Sequence, residues 1–408
     1  MKNTFVFPQK NIISAYKENC ITTITFFFFC ITFSCKSDQS VKLAENIINM
    51  NDAQSGILYS SDYIESFEYV PLETKEECLV GNNPIVYVTN DFIITNTIRE
   101  KKCFLFDRST GKFIREIGNS GQGPEEYLYV PSGIIVNEQE KTIIFDKGER
   151  LIEYSLNDGP AISVSAQTPP LSVNKLAYMT NGMWAIGFLN SMGNAPTQLL
   201  FFDRKEILDS VPNYNTFTPK TNNIFVNRDE FLFYRYDNSV YYKYLFNDTI
   251  FKIVDYKLQP EWIFEMKESL QKLNTLRNDP DELFEHSASY HFIYPIIETD
   301  GYILFNSRYQ TQKHAYLFDK EFRQLQKLEH ESFVNDIDGG LTFWPISTNQ
   351  NQELISIYQA HFMKEEINKN VLNEQNVKNN SAFKELRTLI SQLEEDDNPI
   401  VVIAKFRK

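Results

Sequence analysis

The sequence predicts an antiparallel all-β architecture built by repetition, and three observations carry that prediction. Short runs rich in Val, Ile, Phe and Tyr recur along the chain, with turn residues between them and few helical stretches. Aromatic residues make up 14% of the 408 residues, 33 of them Phe and 22 Tyr, a composition that suits strands. A weak repeat also runs through the chain. An apolar strand ends in Phe-Asp and a turn follows, at Phe106-Asp107, Phe145-Asp146, Phe202-Asp203 and Phe318-Asp319, with a relative at Asn247-Asp248. The shorter intervals lie near the ~40–45 residues of a propeller blade, and the longer ones require insertions. An Asp after a strand accepts backbone N–H bonds in the turn, which explains the motif structurally.

The strands are expected in order at Ile64–Leu72, Ile85–Val88, Phe92–Thr95, Cys103–Asp107 and Phe113–Ile117. Asn82-Asn83-Pro84, Asn90-Asp91 and Ser109-Thr110-Gly111 mark the turns between them. The same texture continues at Gly133–Val136, Thr142–Asp146, Leu151–Ser155, Met183–Phe188, Gln198–Asp203, Ser239–Phe246 and Ile250–Val254. It resumes at Tyr302–Asn306, His314–Asp319, Leu354–Tyr358 and Ile400–Phe406. Two segments carry helical spacing. Trp262–Arg277 places Ile263, Met266, Leu270, Leu273 and Leu276 at steps of three or four, and Ser381–Glu395 places Phe383, Leu386, Leu389, Ile390 and Leu393 on one face. The second would end in an acidic turn (Glu394, Glu395, Asp396, Asp397) that opposes the helix dipole and is read as solvated. Glu65–Leu72 and Ile400–Phe406 are expected to share one blade, which closes the ring and leaves few exposed edges. Gly, at 15 of 408, is scarce for a protein full of tight turns.

The N-terminus reads as an export signal. Lys2, Lys10 and Lys17 precede an uncharged apolar run, Ile21–Phe33, too short for a comfortable bilayer span. Ser34-Cys35-Lys36 follows, and this junction resembles the lipobox of bacterial lipoproteins, with Cys35 as the lipid attachment. The alternative is an ordinary cleaved signal, or a short anchor, in which Cys35 is incidental. The expected organisation is a signal peptide over 1–34, a flexible polar tether over 35–61 and one domain over 62–408. Cys78 and Cys103 remain in the mature chain, either bridged or as two separate buried thiols.

Several stretches together resemble a known family: Phe67-x-x-Val70-Pro71-Leu72-Glu73-Thr74, Cys103–Asp107 leading into Gly111–Gly118, Gly121–Tyr127, Asn247–Phe251 and Asn398-Pro399-Ile400-Val401. They are similar to the six-bladed β-propeller lipoproteins of Bacteroidetes-type bacteria, relatives of the NHL-repeat propellers. The resemblance implies six four-stranded antiparallel blades with short helical insertions and a place in the cell envelope. It implies no shared catalytic residues.

Charge and motifs narrow the function. Lys and Arg number 40 against 54 Asp and Glu, a net charge of −14, which argues against nucleic acid as a partner. Gly118-Asn-Ser-Gly121-Gln-Gly123-Pro124 lacks the Lys-Ser/Thr of a phosphate loop. Asn335-Asp336-Ile-Asp338-Gly339-Gly340 resembles part of a calcium loop but has Ser347 where a bidentate Glu belongs, and reads as an Asx turn. His286, His291, His314, His330 and His361 form no metal motif, and no Gly-x-Ser-x-Gly elbow occurs. Alternating aromatics at Phe231–Tyr236 and Tyr241–Tyr244 read as cross-strand pairs ahead of a sugar-stacking surface. No catalytic residue, metal or cofactor is assigned. The candidate ligand-facing loop is Gly121, Gln122, Gly123, Pro124, Glu125, Glu126 and Tyr127, since loops on a rigid scaffold are where binding lives. The chain thus reads as an exported, lipid-anchored binding module of the outer membrane or periplasm, with a protein, peptide or glycan as partner. A glycan-active lyase or hydrolase and a structural subunit of an envelope complex are the alternatives.

Overall fold

The computed structural model describes residues 46–407, apart from 98, 122, 124, 128–134, 147–150, 158, 160–161, 165–174, 180–181, 204–205, 221–228 and 370–373. The strands form six sheets, the blades of a six-bladed β-propeller. Blade 1 is Ile85–Val88, Phe92–Thr97, Lys102–Asp107 and Phe113–Glu116; blade 2 is Ile135–Asn137, Thr142–Asp146, Leu151–Ser155 and Ile162–Val164. Blade 3 is Lys175–Tyr178, Trp184–Gly187, Thr197–Phe202 and Ile207–Pro212; blade 4 is Phe231–Tyr236, Ser239–Tyr244, Thr249–Val254 and Lys257–Glu265. Blade 5 is Phe292–Glu298, Tyr302–Tyr309, Gln312–Asp319 and Gln324–Leu328. Blade 6 takes Ser347–Thr348, Leu354–Tyr358 and Ile400–Phe406 from the end of the chain and Ile64–Pro71 from its beginning. That last pairing is antiparallel, with Ile400 opposite Pro71 and Ala404 opposite Phe67, so the two ends of the domain close the ring as expected.

Both faces of every blade are buried, which explains why the strands read as apolar runs. Successive side chains point to opposite faces, so Ile93 packs toward blade 6 while Ile94 packs toward blade 2. Phe104 and Leu105 divide the same way, as do Ile143 and Ile144 in blade 2 and Ile303 and Leu304 in blade 5. Six hydrophobic cores result, each shared by two neighbouring blades; the last joins Val401 and Ile403 of blade 6 to Val86 and Phe104 of blade 1. The first strands of blades 2 to 5 touch in succession, and that of blade 1 touches blade 6, so the first strands line the axis.

The blade-6/blade-1 seam is stapled by residues that had carried the family resemblance. Gly111 has φ +67°, and a Cβ there would sit 2.0 Å from the Pro71 carbonyl oxygen, so only glycine fits the turn. The Phe113 N–H donates to the Glu73 carboxylate at 2.8 Å. Asn398 donates to the carbonyls of Glu73 and Cys78 and accepts from the Val80 N–H, so its buried amide is paired on both sides. Arg108 forks onto Glu68 of blade 6 at 2.8 and 3.0 Å and reaches Glu353 at 3.3 Å.

The repeat Asp residues act as the sequence suggested. Asp107, Asp203 and Asp319 each accept backbone N–H bonds in the turn from the third to the fourth strand. The intervals are irregular partly because Asp146 ends the second strand of its blade. Scarce glycine is compensated by other residues in left-handed turns: Asp237-Asn238, Asp255-Tyr256 and Gln310-Thr311 all have positive φ. Cross-strand stacking of Tyr234 on Tyr241, at 5.0 Å and 10°, bears out the aromatic pairs.

Three expectations are corrected. Residues 46–61, read as part of a polar tether, carry two strands. Ile47–Asn49 adds in parallel to the outer edge of blade 4, and Gln54–Gly56 does the same on blade 5. Ile48 and Met50 anchor this strap in the core between those blades, two apolar side chains that a polar average conceals. Trp262–Arg277 is not one helix. The chain stays extended through Glu265, because Trp262 and Phe264 face the core while Glu265 faces solvent, and a short helix, Leu270–Asn274, follows a Ser269 cap. The C-terminal helix, Asn380–Gln392, stops before the acidic run, whose Glu394, Glu395 and Asp396 lie exposed just past its end. Pro280–Ser287 and Ala360–Lys369 are further helices that the sequence reading did not mark.

Candidate functional site

Antiparallel topology gives the propeller two unlike faces. Turns from first to second and from third to fourth strand emerge on one face, and all are short. Connections from second to third strand and from blade to blade emerge on the other, and these carry the long described segments at 188–196, 213–220, 266–291, 329–346 and 374–399.

At the long-loop end, side chains from several blades meet on the axis. Lys175, which opens blade 3, donates to Asp229 at 3.0 Å and to the Phe231 carbonyl at 3.1 Å, both of blade 4. Its ammonium lies 5.1 Å from the Tyr294 ring centroid of blade 5. Tyr294 is hydrogen-bonded to Asp229, and burial together with that carboxylate pushes its phenol well above the usual tyrosine range. Tyr294 is therefore a neutral donor and no base at physiological pH. Tyr87 of blade 1 acts on it electrostatically as well. Charge and polarity at this end are spent on one another.

Behind that end lies a fully buried ion pair. Arg277 meets Glu230 at 3.0 Å with both side chains 1% exposed. Arg277 also donates to Tyr244 and to the Asn190 carbonyl, and its guanidinium is sandwiched between Phe217 and Phe246. Burial pushes the Glu230 carboxyl upward, while Arg277, Tyr244 and the Asn190 N–H favour its ionised form. The network pins the insertions of blades 3 and 4 to the ring.

The short-turn end is different. A cleft of about 160 Å³ opens between the innermost turns of blades 1, 2 and 6. The half-buried Phe92, with the core residue Leu156 behind it, gives the cleft its apolar side, Glu138 stands half-buried, and Asn90, Gln139 and Gln350 are exposed at its rim. Glu138 accepts from the Asn90 N–H; burial raises its pKa, with Arg235 of blade 4 pulling it down. Asp91 is paired with Lys141 at 2.7 Å. Interblade hydrogen bonds make this face rigid. Tyr236 and Gln352 both reach Asp300, linking blades 4, 5 and 6, and Asn351 donates to Asn90, linking blades 6 and 1.

The sequence-assigned loop is mostly turned inward. Tyr127 is buried, stacked on Phe145 at 5.0 Å and 7°, and its hydroxyl donates to the Lys101 carbonyl. The Gly121 N–H donates to the Tyr127 carbonyl and the Gly123 N–H to the Glu126 carboxylate. Tyr154 donates to the Glu125 carbonyl. Among the described members only Glu125 is exposed. Gln122, Pro124 and Cys35 lie outside the described residues.

The other marked groups have partners in the fold. Asp336 accepts from the Ser61 N–H and hydroxyl, and Asp338 accepts from Tyr69, Asn335 and the Gly340 N–H, so the two acids point to different protein donors. His291 stacks on Tyr309 at 4.2 Å and meets the Ser307 hydroxyl at 2.9 Å. Cys78 and Cys103 are separate buried thiols in different cores. No helix among the described residues is long and apolar enough to cross a membrane. Sequence reasoning missed Lys175, Asp229 and Tyr294 at one end of the axis and Glu138, Gln139 and Gln350 at the other. The signal that could have found the second set is position: each lies in the turn after a blade's first strand.

A candidate exported protein from Bacteroides fragilis superposes with a TM-score of 0.69, at 18% identity over 89% of this chain and 100% of that one. The WD40 domain of SCAP from fission yeast superposes with a TM-score of 0.36, at 8% identity over 71% of this chain and 62% of that one. No curated protein matches the sequence. The first likeness shows the fold alone, since a shared fold does not carry a shared function. Residues 45–405 match the family described as domain of unknown function DUF4934, and the chain belongs to that family.

Proposed function

We propose that this protein is an exported propeller that binds a ligand on its short-turn face and performs no catalysis of its own. The observation that carries the reading is the contrast along the axis. At the long-loop end Lys175, Asp229 and Tyr294 pair with one another, whereas the cleft between blades 1, 2 and 6 presents amide side chains on a rigid rim. The ligand is a glycan, a peptide or a segment of another protein. The N-terminal signal, the Cys35 junction and the short polar stretch after it support attachment to the outer membrane from the periplasmic space.

Two measurements test this. Labelled palmitate is expected to enter the wild type and not Cys35→Ala; equal labelling of the two removes the anchor. Turnover of a polysaccharide or an ester by the purified chain, abolished by a single substitution, would replace the binding module with an enzyme.

A further inference from the structure

We infer that the cleft between the inner turns of blades 1, 2 and 6 is a subsite for one neutral pyranose ring; this deepens the proposed binding role and rests on it. The argument begins with charge. Asp91 is already paired with Lys141, and Glu138 already accepts from the Asn90 N–H, so the cleft offers no free cation to hold an anion. A free cation as ligand would find only Glu138, with the Arg235 guanidinium acting on the same carboxyl.

What remains available is neutral. Gln139 and Gln350 have no hydrogen-bond partner among the described residues, and both are exposed at the rim. An amide supplies donors and an acceptor in one plane. Vicinal hydroxyls donate and accept at the same spacing, so they satisfy such amides where a carboxylate, a phosphate or an ammonium meets only half of them.

Shape agrees. About 160 Å³ corresponds to roughly five waters by volume, the size of a single sugar ring. The half-buried Phe92 ring gives an apolar side for the C–H face of a pyranose, while the polar rim faces its hydroxyls. Hydroxyls that reproduce the hydrogen bonds of the displaced waters lose little on binding, so specificity comes from the rim and affinity stays modest. The interblade bonds Asn351–Asn90 and Gln352–Asp300 hold the rim in place before any ligand arrives.

The test is saturation-transfer NMR on the whole chain with methyl glucoside, methyl galactoside, methyl mannoside and N-acetylglucosamine, alongside trialanine and methyl phosphate. At least one sugar is expected to saturate with Kd on the order of 1 mM. The Gln139→Ala/Gln350→Ala double variant should weaken it about tenfold without a change in melting temperature. Saturation by trialanine and by no sugar overturns the sugar assignment and leaves the binding module standing. Sugar binding indifferent to the double variant overturns the location. No saturation by any probe overturns the subsite.

Discussion

The two ends of the propeller axis are built from similar residue types and put to different use. At the long-loop end Lys175, Asp229 and Tyr294 satisfy one another, and Arg277 and Glu230 are sealed beneath the insertions. At the short-turn end the charges Asp91 and Lys141 are paired in solvent, and amides are left over. Desolvation makes the difference. The buried Arg277–Glu230 pair must be satisfied inside the protein, so the layer behind the long-loop end is committed to holding the fold, while Lys175 and Asp229 at the end itself are partly exposed and satisfy one another. An exposed amide costs little when unpaired, because water serves it, and that leaves it available to a ligand.

The sharpest way to break this contrast is at the buried pair. Arg277→Met leaves the buried Glu230 carboxyl without its cation, and the expected loss is about 3–5 kcal/mol in urea-induced unfolding. The double variant Arg277→Met/Glu230→Gln should recover more than half of that, because the penalty is mostly the orphaned charge. A single-variant loss under about 1 kcal/mol would mean that the insertions are not pinned by this pair.

A smaller effect belongs to His291, just before the first strand of blade 5. Burial, with the charges of His314 and Lys327 behind it, lowers its pKa from 6.5 to about 4. The unfolded chain therefore takes up a proton that the folded chain refuses. Stability is unaffected above pH 6.5 and falls as the pH drops from 6.5 toward 4. Allowing for partial solvent screening, the loss across that window is about 1–2 kcal/mol. Unfolding curves at pH 7.5 and 4.5 measure it, and His291→Gln should flatten the difference; an unchanged slope in that variant assigns the acid sensitivity elsewhere.

The sequence displayed the fold far better than the site, for a reason visible in particular residues. Ile93-Ile94, Phe104-Leu105 and Ile303-Leu304 serve two cores at once, so blade strands announce themselves as apolar runs. Stretches that gave the family resemblance, such as Pro71–Thr74, Gly111–Phe113 and Asn398, staple the closing seam. Tyr127, the most distinctive member of the expected ligand loop, is a core ring for the same reason: a conspicuous local pattern reports local packing. The cleft's polar residues come from three turns some 50 to 260 positions apart, and none carries a motif. Residues 46–56 were misread in the opposite sense, since only Ile48 and Met50 tie a polar strap to the rim.

The finest discriminator is an expected lack of effect. If Gln139 and Gln350 are left for a ligand, truncating them should change the free energy of unfolding by less than about 0.5 kcal/mol, because neither side chain is buried and water replaces whatever each one does. A truncation at the other end of the axis is expected to cost more, since Lys175→Ala strips the partly exposed Asp229 and the Phe231 carbonyl of a donor. Measured side by side by urea unfolding, the rim pair should superimpose on wild type while the Lys175 variant shifts to lower denaturant. A rim pair that destabilised as much as the Lys175 variant would make both ends structural, and the axis would then have no end reserved for a partner.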